Sequence, residues 1–323
     1  MMQRNASAAL IVAFVLAALA PAQEVVVPEQ VFAAPPVYYD GPFETFEDRN
    51  DGMLLGDPLL DPPGLRPGVF AAAELDVIGV HVRDRLNAPR VLFGDRIAVP
   101  GAPLCWTASP HFELGYRFGQ GYGAALLGYE SLVTEGCTTT LYVPANTGVA
   151  TPAHLHSRVN LNVVDLDYQQ HEWGLGPQWD MIWQVGVRIG SSYYDTHRCS
   201  PVLHEKASNS YVGVGPHAGL DLRRRLFDTP LSLRGKVEGA GLIGHFNQSF
   251  ETIAGGVGEA LRVDGTQWVP ILRVLAGLHY APGPRCQFGL GYVFEGWWYT
   301  GKPAGSTVPL TANGLFFRAE WRY

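Results

Sequence analysis

The sequence predicts an all-β chain: an antiparallel transmembrane β-barrel of about ten strands, preceded by an extended N-terminal segment. Three observations predict it. The last residues alternate, with Leu315, Phe317, Ala319, Trp321 and Tyr323 on one face, and Arg318, Glu320 and Arg322 on the other with Phe316 above them. One face suits lipid and the other a polar lumen. The composition is that of strands, with 38 Gly, 11% aromatic and only 16% charged residues, and after Leu19 no apolar run reaches the ~18 residues of a membrane-spanning helix. Finally, short and long connections alternate along the chain, as tight periplasmic turns and larger extracellular loops do.

The elements follow in order. Residues 1–22 read as a signal peptide. Arg4 gives the positive start, residues 8–19 the apolar stretch and Ala20-Pro21-Ala22 a small-x-small cleavage pattern, so the mature chain begins near Gln23. No cysteine follows to carry a lipid anchor. Residues 23–69 hold Pro28, Pro35, Pro36, Pro42, Pro58, Pro62, Pro63 and Pro67 without a sustained period. They read as an extended periplasmic lead-in. A short partner-binding arm through Val37-Tyr38-Tyr39 stays open, as does a hidden hairpin that would change the strand count.

Residues 70–323 read as the barrel. The strands are expected at 70–83, 107–118, 121–133, 157–169, 178–194, 208–224, 230–246, 268–281, 285–299 and 311–323. Connections at 119–120, 171–177, 225–229 and 282–284 are short, and those at 84–106, 134–156, 195–207, 247–267 and 300–310 are long. An even count puts both termini on the periplasmic side, and 311–323 must close against 70–83.

Side-chain alternation supports this parsing. Phe112, Leu114, Tyr116 and Phe118 oppose His111, Glu113 and Arg117; Leu231, Leu233, Val237 and Ile243 oppose Ser232, Arg234, Lys236 and Glu238; Phe288, Leu290, Tyr292 and Phe294 oppose Gln287, Gly289, Gly291 and Glu295. A Lys or Arg at the lipid midplane costs about 2–4 kcal/mol, so one-sided charge in strand after strand discriminates. A bulge is expected near Val163-Val164, where Asn160 and Asn162 hand over to Asp165 and Asp167, and another at Pro216, which lacks a ladder donor. Trp297, Trp298 and Tyr299 at one end and Trp321 and Tyr323 at the other suit two interfacial girdles.

The lumen-facing residues expected on this parsing are Glu74, Asp76, Glu113, Arg117, Asp165, Asp167, Arg188, His217, Asp221, Arg223, Arg234, Lys236, Glu238, Arg273, Glu295, Arg318, Glu320 and Arg322. They either fill the lumen with ion pairs or line a narrow, weakly selective pore. The lumen glycines Gly213, Gly215, Gly219, Gly289 and Gly291 leave room and favour the pore.

Asp165-x-Asp167 and Asp195-x-His197 resemble in form the Asp pair and Asp-His pair of the outer-membrane omptin proteases. Asp165 and Asp167 should lie toward the periplasmic half, too far to share a water with a pair at the outer rim. The chain is therefore expected not to be an enzyme, with no catalytic residues. His154 and His156 in one loop and His197 and His204 in another could ligate a metal, yet loop histidines are usually solvated. No metal or other cofactor is expected. Cys105 and Cys137 lie equally far from the 119–123 turn and are expected to form a disulfide, with Cys199 a competitor and Cys286 free.

The stretch Tyr211-Val212-Gly213-Val214-Gly215-Pro216-His217-Ala218-Gly219-Leu220-Asp221-Leu222, then Leu231-Ser232-Leu233-Arg234-Gly235-Lys236-Val237-Glu238-Gly239-Ala240, resembles the Legionella major-outer-membrane-protein-like pore-forming barrels, a family also abundant in planctomycetes. Gly289-Leu290-Gly291-Tyr292 and Trp297-Trp298 add to the likeness. It covers roughly residues 157–323 and implies an outer-membrane barrel of porin-like type with no catalytic residues to carry over. The terminal strand, with Phe317, Trp321 and Tyr323, also resembles the signal read by the barrel-assembly machinery.

The expected function is passive passage of ions or small polar solutes through a narrow charged lumen. The alternative is a non-conducting structural or adhesive barrel that binds a partner through extracellular loops. Expected partners are outer-membrane lipid and the assembly machinery. The net charge of −7 excludes nucleic acid, and the sequence leaves the oligomeric state open.

Overall fold

The computed structural model describes residues 67–323 apart from 83–84, 90–95, 120–121, 143–149, 171, 177, 202, 228, 255–256, 284, 299–308 and 323. Chain contacts divide the molecule into residues 1–54 and 55–323, and every described residue belongs to the second unit. The signal peptide, most of the lead-in, Tyr299 and Tyr323 lie outside the described residues.

Ten long strands form the barrel: β1 (Gly68–Val82), β4 (Thr107–Arg117), β5 (Ala124–Tyr142), β6 (Thr151–Gln169), β8 (Trp179–Ser200), β9 (Leu203–Arg225), β10 (Leu231–Ala254), β11 (Val257–Tyr280), β12 (Cys286–Trp297) and β13 (Leu310–Arg322). Three short strands, β2 (Arg85–Pro89), β3 (Arg96–Pro100) and β7 (Trp173–Gly176), complete the set. The order is β6-β5-β4-β1-β13-β12-β11-β10-β9-β8, and β6 pairs with β8 to close the ring. All pairings are antiparallel. As expected, β13 closes against β1, with Phe70 opposite Arg322 and Glu74 opposite Arg318. Among the described residues no helix is long and apolar enough to cross a membrane.

The barrel has two unlike ends. The turn end carries the short connections and the first and last strand residues. There the alternation read from the sequence holds: Phe112, Leu114, Leu220, Leu233, Leu290, Tyr292 and Phe317 all stand outward and exposed. These residues form the apolar belt that lipid requires.

The far end differs from expectation. Most of 134–142, 151–156, 195–200, 203–207 and 247–267 is strand, so β8 to β11 run to 22–24 residues and pair as far as Ser200 with Leu203 and Ala254 with Val257. Above the belt the outward face becomes His204, Lys206, Ser208 and Ser210 on β9, then Asn247, Ser249 and Glu251 on β10. A polar outward face opposite an inward face that mixes Leu203, Ala207 and Phe250 with Glu205, Asn209 and Gln248 blurs the period that marks a strand, so these stretches read as loops.

Neither expected bulge forms. β6 keeps unbroken register with β5 and β8 through Val163 and Val164. Its inward residues are Asp167 and Asp165 and then Val163, Leu161 and Val159, while Asn160 and Asn162 face outward. The polarity changes along one face and the strand does not shift. At Pro216 the β9–β10 ladder drops the pairs between Ala240–His217 and Ile243–Val214 and resumes in the same register. The Tyr211 hydroxyl donates to the Leu242 carbonyl at 2.9 Å inside this gap, supplying a partner where the ladder is open.

Candidate functional site: the filled barrel interior

Inward side chains form two layers. Near the turn end the layer is charged. Arg273 of β11 reaches Glu74 (2.7 Å) and Asp76 (2.8 Å) of β1 and also pairs with Glu130 of β5. Arg318 pairs with Glu113 and with Glu74 at 3.3 Å. Arg188 grips Asp165 with two bonds of 2.7 Å. His217 Nδ1 lies 2.9 Å from Asp167. Asp221 pairs with Arg234, Lys236 with Glu238 at 2.6 Å, and Arg322 with Glu320 at 2.9 Å. Glu238 also accepts from Gln184, and Glu295 accepts from the Trp297 indole. Arg117 and Arg223 sit at the turn-end mouth, where a recess of about 50 Å³ is open to them.

All 18 expected lumen residues thus face inward. Fourteen are buried, and Arg117, Arg223, Arg234 and Arg322 are half-buried. The sequence reading passed over Glu130, Asp180, Gln184 and His279, and left His111, placed on the polar face by alternation, off the lumen set; all five face inward and are buried. Glu130 was legible through the alternation Gly128-Glu130-Leu132, but the apolar inward Leu126 and Leu132 on either side blurred it.

Above the charged layer the interior is mainly apolar, with Ser192, Gln267 and Gln248 buried among the apolar side chains. Ile78, Val80, Leu132, Val159, Leu161, Val163, Tyr194, Leu242, Phe246, Val269, Ile271 and Trp297 form one buried cluster drawn from every side of the ring. Trp297 is fully buried, not at the outer girdle where the sequence placed it. It points inward because it shares the parity of Glu295 and Val293.

The lumen glycines leave no room. A Cβ on Gly213 would stand 2.3 Å from the Tyr211 hydroxyl, one on Gly289 2.5 Å from the His279 ring, one on Gly219 2.9 Å from Gln184, and one on Gly291 2.7 Å from the Phe316 ring. Gly190 faces both Leu242 and Trp297 at 2.8 Å. These glycines are sockets for inward side chains of the same or a neighbouring strand, and for Gly190 of side chains from β10 and β12, so their absence of bulk is matched by a neighbour's presence.

Residues 101–105 pack into the far end against β5, β6 and β8. Ala102 N donates to Ser157 Oγ at 2.8 Å, and Cys105 N to the Glu135 carbonyl at 3.0 Å. Leu104 packs on the apolar cluster, and a Cβ on Gly136 would strike the Pro103 carbonyl. β3, which precedes this segment, packs beside β8 and β9.

The expected Cys105–Cys137 disulfide does not form; all four cysteines are free. The bond from Cys105 N to Glu135 sets Cys105 out of step with Cys137, and an offset of one residue along a strand turns side chains to opposite faces. Asp195 and His197 are bonded at 2.7 Å on the outward face of β8, while Asp165 and Asp167 face inward from β6. The wall of the barrel separates the two pairs, so no shared water can join them. Among the described residues Asp165, Asp167 and His217 converge closely enough to hold an ion. Arg188, bonded to Asp165 and 3.2 Å from His217, already supplies the positive charge there.

The solved structures with similar folds are outer-membrane barrels. They include the Escherichia coli outer-membrane protease OmpT (10% identity, 81% of this chain and 100% of that one, TM-score 0.49). Others are the Pseudomonas putida toluene transporter TodX (10%, 80% and 89%, 0.31) and Neisserial surface protein A (11%, 80% and 100%, 0.25). No curated protein matches. The family described as Legionella pneumophila major outer membrane protein precursor matches residues 102–322, further toward the N-terminus than the motifs near 211–240 alone reach. The chain therefore belongs to the Legionella major outer membrane protein family and is an outer-membrane β-barrel.

Proposed function

We propose that this barrel is a closed surface protein of the outer membrane that presents an extended extracellular sheet to a partner and catalyses no reaction. The observation that carries the reading is the filled cross-section: a charged layer tied across its diameter, a mainly apolar layer above it, and residues 101–105 packed inside the far end. The apolar layer is the barrier to water and ions, and the ion pairs below it fill the polar part of the lumen. The belt contacts lipid. β13, with outward Phe317 and Trp321, is the segment offered to the assembly machinery.

Passage of ions or small polar solutes is the second reading. One observation favours it: the charged layer opens at the turn end through the recess beside Arg117, Arg223 and Arg322. Conduction would then require residues 101–105 and the Trp297 layer to move. Liposomes loaded with a small fluorescent anion and carrying the refolded protein test the first reading. Dye retained as in protein-free liposomes supports it, and rapid loss overturns it in favour of the second.

A further inference from the structure

Above the apolar belt, four adjacent strands turn an unusual set of side chains outward. The pairing places Cys137 of β5 opposite His156 of β6, and His156 opposite His197 of β8. Two residues further along, His154 of β6 faces Cys199 of β8, which in turn faces His204 of β9. The sequence scatters these residues over connections; the strand extensions bring them into one patch. His156 and His197 have ring centroids 6.2 Å apart, and all six residues are at least partly exposed.

We propose that His154 and His156 of β6, with His197 and Cys199 of β8, form a surface site for a divalent transition metal of the zinc class. Residues i and i+2 on two neighbouring strands form a square on one face. Its cross-strand sides are about 4.5–5.5 Å between Cβ atoms and its along-strand sides about 6.8 Å. Imidazole and thiolate bonds of about 2.0–2.3 Å to a tetrahedral centre fit over such a square once the exposed rings turn. Three imidazoles and a thiolate select zinc-like ions over calcium or magnesium.

The surroundings are those of ligands. A metal-bound histidine typically gives its other ring nitrogen to an oriented oxygen. His197 Nε2 is held by Asp195 at 2.7 Å, His156 Nε2 lies 3.6 Å from Glu135, and His154 Nδ1 contacts Thr139 Oγ1 at 3.2 Å. Each ring keeps one nitrogen for the ion. The cysteines have no disulfide alternative on this face. Cys137 and Cys199 flank β6 on opposite sides, about two strand spacings or ~9.6 Å apart, beyond the Cα separation a disulfide bridges.

The proposal stands apart from whether the barrel conducts. Tag-free refolded protein in detergent micelles, titrated calorimetrically with Zn²⁺, should show one saturable site. Cobalt in place of zinc should give a thiolate-to-metal charge-transfer band that Cys199→Ser abolishes. Asp195→Asn should weaken binding about 10–100-fold as a lost positioning residue. His156→Ala and His197→Ala should weaken it further, and His245→Ala, on a neighbouring exposed face, should change nothing. The double variant His156→Ala/His197→Ala, shown folded by its heat-modifiable electrophoretic mobility, is decisive. Stoichiometric binding that survives in it, or no saturable binding by the parent protein, overturns the site.

Discussion

Arg273 of β11 and Glu130 of β5 form an ion pair across the full diameter of the barrel. In the ring order their strands stand five places apart of ten, so the pair ties opposite walls. Lys236 of β10 and Glu113 of β4, 3.8 Å apart, do the same. These two pairs brace opposite walls of the barrel.

Arg273 holds Glu74, Asp76 and Glu130 together. Arg273→Ala leaves the buried Asp76 and Glu130 without their cation and Glu74 with Arg318 as its remaining arginine, and removing one partner of a buried pair costs about 3–5 kcal/mol. Denaturant unfolding followed by tryptophan fluorescence should show a loss of that size. A loss below ~1 kcal/mol would mean that the layer is hydrated.

Trp297 is the largest fully buried side chain of the apolar layer. Trp297→Ala should destabilise by about 3–5 kcal/mol through the cavity it leaves. Gly190→Val pushes carbon toward the same ring and Leu242, and overpacking should cost about 1–3 kcal/mol. Unfolding midpoints of the two variants check both. A Gly190→Val protein as stable as the parent would show that the lumen has space.

The belt predicts opposite responses on one outward face. Leu290→Arg places charge against lipid and should cost about 2–4 kcal/mol near the midplane. Ser249→Arg lies above the belt and should stay within ~0.5 kcal/mol, as surface changes do. Refolding equilibria in lipid vesicles measure both; equal effects would misplace the membrane.

Orientation is readable from the thiols. Cys137 and Cys199 face outward beyond the belt and Cys286 starts β12 at the turn end. In intact cells a membrane-impermeant maleimide should label the first two and leave Cys286 unlabelled until the periplasm is opened. Labelling of Cys286 first would invert the topology.

Where one face meets lipid, the sequence showed the fold. Phe112, Leu114, Leu290 and Phe317 alternate with charges because hydrocarbon penalises every charge, and the strand count and the closure of β13 on β1 followed. Beyond the belt the outward face is polar and the inward face mixes Ala207, Phe246 and Phe250 with Glu205 and Gln248, so the far halves of β8 to β11 carry little period. What fills the lumen was also hidden. Val159, Leu161 and Val163 mimic an outward face, which suggested a bulge; Gly213 and Gly289 look like space until Tyr211 and His279 are seen occupying it. Trp297 is a girdle residue or a plug depending on a parity that its aromatic neighbours obscure. The His–Cys patch depends on register between strands, which spacing along the chain does not reveal.

The closed interior is the central claim, and single-molecule conductance tests it most directly. The refolded full-length barrel in a planar lipid bilayer should give no stepwise current above the lipid baseline at moderate voltage. Reproducible unitary steps from the parent protein would contradict it and restore the open, charged pore.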